Sequence, residues 1–210
     1  MQSAEPRKTV LVIVGMPGAG KSLASSVMKA RGIPVFVSGD IIRAEARKRK
    51  LKFTRKNLGE LMLDIRRKEG MGAVAKRLVP LVEKVRGEYA VYEGARSVEE
   101  VDELRRRYRV VTIAIHASSR ARFQRLQRRG RSDRPRGWAD FAERDNRELG
   151  VGIAKLIALA DRTVENEDSK EDLKRRMKRL LRTILQTRGS YLLLRPRSIR
   201  RKYARESRKP

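Results

Sequence analysis

Eight consecutive residues, Gly15-Met16-Pro17-Gly18-Ala19-Gly20-Lys21-Ser22, have the types and spacing needed to hold a polyphosphate. Three glycines let the backbone wrap closely round an anion, Lys21 brings a cation to the β- and γ-phosphates, and the Ser22 hydroxyl is a ligand for Mg²⁺. The context fits the same chemistry. Thr9 to Val14 is an apolar, β-branched run suited to a strand buried on both faces. Ser22 to Met28 continues as a helix whose N-terminus offers unpaired N–H groups and a positive dipole end. Strand, loop and helix therefore follow in the order a bound nucleoside triphosphate requires, with Mg²⁺ as its expected companion.

Phosphoryl transfer asks for positioned cations, a metal and a carboxylate beside the acceptor hydroxyl. Asp40 follows a glycine at the end of the second apolar run, Val35 to Val37, which reads as a short buried strand; there it could take the acceptor proton or hold Mg²⁺, and a plain helix N-cap is its other reading. Arg43, one turn on, is either an acceptor-phosphate ligand or part of a solvated helix face. Glu93 ends the run Tyr89 to Tyr92, a place for a metal-supporting carboxylate. Arg96 opens out of the same strand end as an anion clamp or a surface arginine. His116 ends the run Val110 to Ile115. From Arg120 to Arg147 ten arginines lie in or beside a Gly/Ser/Asp/Pro loop, more guanidinium than helix stability needs. A lid over a triphosphate would use them, and Arg125 and Arg144 stand out because they flank the loop on helices.

The elements that position these residues alternate. Strands over 9–14, 35–37, 89–92, 110–115 and 162–165 are separated by helices, which predicts an α/β fold with a five-stranded parallel sheet covered on both faces. Ligands of such sheets bind at the carboxyl ends of the strands, which gathers the loop, Asp40, Glu93, Arg96 and His116 along one edge. Between them the pattern predicts helices over 41–50 (N-cap Asp40), about 58–68 (starting from Thr54 or Asn57), 73–85, 98–107 (a capping box from Ser97 to Glu100), 119–128 (cap Ser118 or Ser119), 138–149, 153–160 and 171–188 (a second capping box, Ser169 with Asp172).

At 210 residues the chain is expected to form one phosphate-loop α/β domain over 1–187, with a helical acceptor-side insertion at about 51–88 and a lid at about 120–147. A basic extension, 188–210, follows. Cysteine is absent and histidine occurs once, so thiolate and histidine metal clusters are not expected. No apolar run reaches membrane-span length, which points to a cytoplasmic protein. Lys and Arg number 53 against 25 Asp and Glu, a net +28 that favours polyanions, from nucleotides to RNA. The tail, with Tyr191 and Tyr203 among its arginines, is either an RNA-binding arm or a solvated segment.

The chain resembles the small-molecule kinases of the P-loop adenylate kinase and dephospho-CoA kinase group, and within it the UPF0200 family of archaeal predicted nucleotide kinases. The resemblance runs over about residues 9 to 185. It is carried by the phosphate loop, Gly39-Asp40-Ile41-Ile42-Arg43, Gly94-Ala95-Arg96-Ser97, Ala114-Ile115-His116-Ala117-Ser118, Arg144-Asp145 and Gly152 to Asp161. It implies a three-layer, nucleoside monophosphate kinase-like fold and an ATP-dependent kinase acting on a nucleotide or nucleotide-like alcohol. It further implies that Asp40 acts on the acceptor hydroxyl and that Asn166 lies near the adenine. Where adenylate kinases carry Asp-Gly-Phe-Pro-Arg, this chain has Glu93-Gly94-Ala95-Arg96, one methylene longer at the carboxylate and without the proline. The alternative function is an RNA- or ribosome-associated ATPase of the same fold.

Overall fold

The computed structural model describes residues 8–129 and 134–186. The expected basic extension, and residues 130–133 of the expected lid, lie outside the described residues.

The fold is a five-stranded, all-parallel sheet flanked by helices, with strand order β2-β3-β1-β4-β5. Strand β1 (Thr9–Val14) lies at its centre and leads through the phosphate loop into α1 (Lys21–Lys29). Strand β2 (Val35–Val37) runs directly into α2 (Ser38–Lys48), followed by α3 (Arg55–Glu69) and α4 (Ala73–Glu83). Strand β3 (Tyr89–Glu93), α5 (Val98–Arg105), β4 (Arg109–His116), α6 (Ser119–Arg128), α7 (Trp138–Gly150), α8 (Ile153–Ala158), β5 (Arg162–Glu165) and α9 (Lys170–Gln186) complete the order.

All six residues of β1 are buried, because it pairs on one edge with β3 and on the other with β4 and is covered on both faces. Its side chains alternate between two cores. Val10, Val12 and Val14 pack with Tyr92, Ala114 and the apolar faces of α2, α3, α4 and α5. Leu11 and Ile13 pack with Val91, Ile113 and the inner faces of α1 and α9. The phosphate loop thus leaves the sheet where successive connections depart to opposite sides, the crevice in which parallel sheets bind ligands.

Side-chain caps mark the starts of α3, α5, α6 and α9. The Thr54 and Ser118 side chains accept from the N–H groups of Asn57 and Ala121, and Ser169 and Asp172 cap each other reciprocally. Three expectations need correcting. Asp40 is not an N-cap: β2 feeds α2 without a loop, so Val37 occupies the cap and Asp40 lies in the first turn. Strand β2 is half-buried rather than buried, because it is an edge strand. At Ser97 only half of the box forms: its hydroxyl accepts from Glu100 N–H (3.4 Å), while the Glu100 carboxylate turns into the core. There it accepts from Arg66 (2.7 Å), the Tyr92 hydroxyl (2.5 Å) and the Arg96 N–H (3.4 Å). This buried group fastens α3 to the end of β3, and burial beside the Glu100 carboxylate raises the Tyr92 pKa.

Candidate active site

Two glycines show why the loop needs its sequence. At Gly15 (φ +148°) an added Cβ would stand 2.4 Å from the Ile115 carbonyl oxygen, and at Gly20 (φ +107°) 2.3 Å from Asn166 Nδ2. Both backbones are left-handed and tightly faced, so any side chain would push the loop out of place. Asn166 holds the loop from behind: its Nδ2 donates to Ala19 O (2.7 Å) and its own N–H to His116 O (2.7 Å).

Lys21 opens α1 and donates to the carbonyls of Gly15 (2.7 Å) and Met16 (3.1 Å), the rim of the anion cradle. Its pKa is lowered to about 8, chiefly by burial; Arg96 adds repulsion, Glu148 and Glu93 partly offset it, and Arg144 repels further. Ser22 donates to Glu93 Oε1 (2.8 Å), and Ser25, one turn later, donates to the other oxygen of the same carboxylate. Glu93 is the last residue of β3 and is 6 % exposed, so its charge is spent on α1 at the foot of the loop. The hydroxyl and carboxylate form a hard oxygen donor set of the kind Mg²⁺ prefers. Among the described residues no group of three or more His, Cys, Asp or Glu could hold a metal.

Arg96 is turned inward. Its Nε donates to Glu148 Oε2 on α7 (2.6 Å), its Nη2 to Glu148 Oε1 (3.3 Å) and its Nη1 to the Ser38 hydroxyl at the start of α2 (3.2 Å). Burial alone would raise the Glu148 pKa, but the Arg96 guanidinium holds it below the ordinary carboxylate range. Arg144, on the same helix, lies within electrostatic reach of both Lys21 and Glu148. Lys21, Ser22, Glu93, Arg96 and Arg144 are therefore brought together around the loop.

Asp40 and Arg43 form an exposed pair, 2.5 Å apart, on the first turns of α2, while the Glu93 carboxylate accepts from Ser22 and Ser25 of α1. Arg125 faces the other flank, where its Nη2 donates to the Asn166 carbonyl (2.6 Å) and its buried Nη1 finds no hydrogen-bond partner among the described residues. His116 is exposed and lines a cavity of about 190 Å³ beside Met16 and Arg122.

Sequence reasoning did not separate Arg122 from the other arginines, nor find Ser25 or Glu148. Arg122 is 4 % exposed and clamps the loop: it donates to Pro17 O (3.1 Å) and Ala117 O (3.2 Å) and forms a two-pronged pair with Asp145 (2.9 and 2.5 Å). Its ring partner is Phe141, 5.0 Å away. The available signal was position, four residues before buried Leu126 and so on the inner stripe of α6.

Among the described residues no helix is long and apolar enough to cross a membrane. Residues 14–140 match a family model described as AAA domain. A UPF0200 protein of Hyperthermus butylicus is 41% identical over 164 residues, covering 78% of this chain and 88% of the relative. A UPF0200 protein of Pyrococcus horikoshii is 44% identical over 162 residues, 75% of this chain and 87% of the relative. Among solved structures, a shikimate kinase from Acinetobacter baumannii in complex with shikimate superposes with a TM-score of 0.52 at 16% identity, covering 89% of this chain and 96% of that one. TT1252 from Thermus thermophilus gives 0.58 at 22% identity, covering 84% and 97%. These structures share the fold.

Proposed function

We propose that this chain, which belongs to the UPF0200 family and has a kinase-like P-loop fold, is a cytoplasmic ATP-dependent phosphotransferase. Its acceptor is a nucleotide or nucleotide-like alcohol, of the nucleoside monophosphate or dephospho-CoA kind. The observation that carries the reading is the grouping of Lys21, the Ser22–Glu93 pair, Arg96 and Arg144 around a loop shaped for a triphosphate.

The roles follow from placement. Loop N–H groups and Lys21 bind the β- and γ-phosphates, and Ser22 with Glu93 would hold Mg²⁺, which would neutralise phosphate charge when bound with the nucleotide. The acceptor oxygen attacks the γ-phosphorus, the bond to the β,γ-bridging oxygen breaks, and the acceptor proton passes to Asp40 at the mouth of β2. Arg43 and Arg96 orient the acceptor, while Arg144 and Arg125 on the flanking helices offset transition-state charge. Asn166 borders the nucleotide base.

The test incubates the protein with ATP, Mg²⁺ and a panel of nucleosides, nucleoside monophosphates and dephospho-CoA, and identifies the phosphorylated product by mass spectrometry. Lys21→Ala abolishes turnover with the fold intact by circular dichroism. Asp40→Asn lowers kcat by about 100-fold or more while ATP affinity changes little. Full activity in either variant contradicts the assignment. The net charge of +28 supports a second reading, an RNA- or ribosome-associated ATPase. It takes precedence if RNA stimulates ATP hydrolysis and no acceptor is phosphorylated.

A further inference from the structure

Seven of the ten residues from Arg47 to Lys56 are Lys or Arg, and none is acidic. They form the last turn of α2, the connection to α3 and the first turn of α3. The nucleotide site makes no use of them, and the fold gains little from most of them. Arg47 and Lys48 suit the negative end of the α2 dipole, but Lys50 and Lys52 lie beyond it. Lys56 stands at the positive end of α3, whose first turn contains no acid to offset it.

Lys50 is held in a costly conformation. Leu51 N–H bonds to Ala46 O (2.9 Å) and Lys50 N–H to Arg47 O (3.1 Å), a helix ending whose left-handed position usually belongs to glycine. Lys50 occupies it at φ 55°, the only non-glycine residue with positive φ among the described residues. Lys48, Lys50, Lys52 and Lys56 are exposed and have no ion-pair partner among the described residues. Between them Phe53 is 50% exposed, with the Arg47 guanidinium carbon 5.6 Å from its ring centroid.

We propose that this connection is a binding surface for single-stranded nucleic acid, in which the lysines neutralise successive phosphates and the Phe53 ring stacks on an unpaired base. The half-exposed ring among cations is what selects a single strand. A duplex hides its base faces, whereas every unpaired base offers one. A membrane would ask for more buried apolar area than Phe53 and Leu51 supply. The inference is independent of phosphoryl transfer, because binding is measured without ATP.

The experiment titrates the full chain into fluorescein-labelled twelve-nucleotide oligo(U) RNA and oligo(dT) DNA, following anisotropy over a range of salt. Replacing Lys48, Lys50 and Lys52 together by Gln is expected to weaken binding at least tenfold and to reduce the log–log salt slope by about 2, near 0.7 per lost phosphate contact. Phe53→Ala weakens binding about fivefold or more with the slope unchanged. Lys50→Gly raises the melting temperature while lowering affinity, a trade that a purely structural lysine would not show. As a charge-matched control, Lys178→Gln, Arg179→Gln and Arg182→Gln on exposed α9 positions leave affinity within about twofold. The proposal is overturned if wild type does not bind, if the control weakens binding as much as the connection variant, or if Phe53→Ala is silent. Tighter association with phosphatidylserine vesicles than with either oligonucleotide also overturns it.

Discussion

Lys21 is a cation packed beside cations. Burial and the nearby Arg96 and Arg144 bring its pKa down to about 8, against the pull of Glu148 and Glu93. A bound polyphosphate reverses that balance, because its charge favours the ammonium and returns the pKa toward its ordinary value of 10.5. Nucleotide binding should therefore take up a proton: about 0.1 at pH 7 and close to one near pH 9. Calorimetric titrations in buffers of different ionisation enthalpy read this directly, and no uptake at pH 9 would sink the assignment. Glu148→Gln removes a carboxylate that raises the Lys21 pKa, so the same uptake should appear at lower pH. The stability sign is opposite to that of a stabilised lysine. Because the folded pKa lies below the unfolded one, the charged ammonium weakens the fold at neutral pH. Stability attributable to this residue rises as pH climbs from about 8 toward 10.5.

Between elements, Arg122 is the fastener that ties α6 to α7 and both to the phosphate loop. Truncating it leaves Asp145 half-buried without its counter-ion and frees the Pro17 carbonyl, and breaking such a pair costs about 3 kcal/mol. Arg122→Ala should lower the unfolding free energy by about that amount and weaken nucleotide binding, whereas Arg122→Lys, which keeps the charge but loses the fork, should fall between. Denaturant unfolding and nucleotide titration of the three proteins check it; a destabilised Arg122→Ala protein with unchanged nucleotide affinity would mean that the loop does not depend on the clamp. Arg122 also marks how far sequence patterns reach. The run Thr9 to Val14, the Thr54, Ser118 and Ser169 caps and the phosphate loop rest on neighbours in the chain and were legible from it. Partners set by the fold were not: Arg66 finds Glu100 across 34 residues, and Arg96 finds Glu148 across 52. Ten arginines between Arg120 and Arg147 look alike until α6 turns one of them toward the loop. For the same reason Glu100 read as a capping residue and proved to be a buried counter-ion.

The excess of cations gives several carboxylates of the helical face basic neighbours. Glu45 would be raised by burial but is held low by Arg49 and Arg77; Asp64 is held low by Lys68 and Arg49, and Glu69 by Arg77. These contacts join α2, α3 and α4 through Arg49 and Arg77 into one network, with spacings of 2.6 to 3.5 Å. Since each folded pKa lies below its unfolded value near 4, the unfolded chain binds protons first as pH falls. The contribution is complete above about pH 5 and is lost as pH falls through the depressed folded values. Protonation also raises a net charge already at +28, so self-repulsion adds to the loss. The melting temperature should hold level between pH 6 and 5 and then fall steeply toward pH 3. Added salt should shallow that fall by screening the repulsion. The two causes separate in one variant. Asp64→Asn with Glu69→Gln removes two titrating carboxylates, so it should start with a lower melting temperature at pH 6 yet lose less of it by pH 3 than the wild type. An equal loss in both proteins would assign the acid limb to general repulsion and leave the network of α2, α3 and α4 without a measurable share.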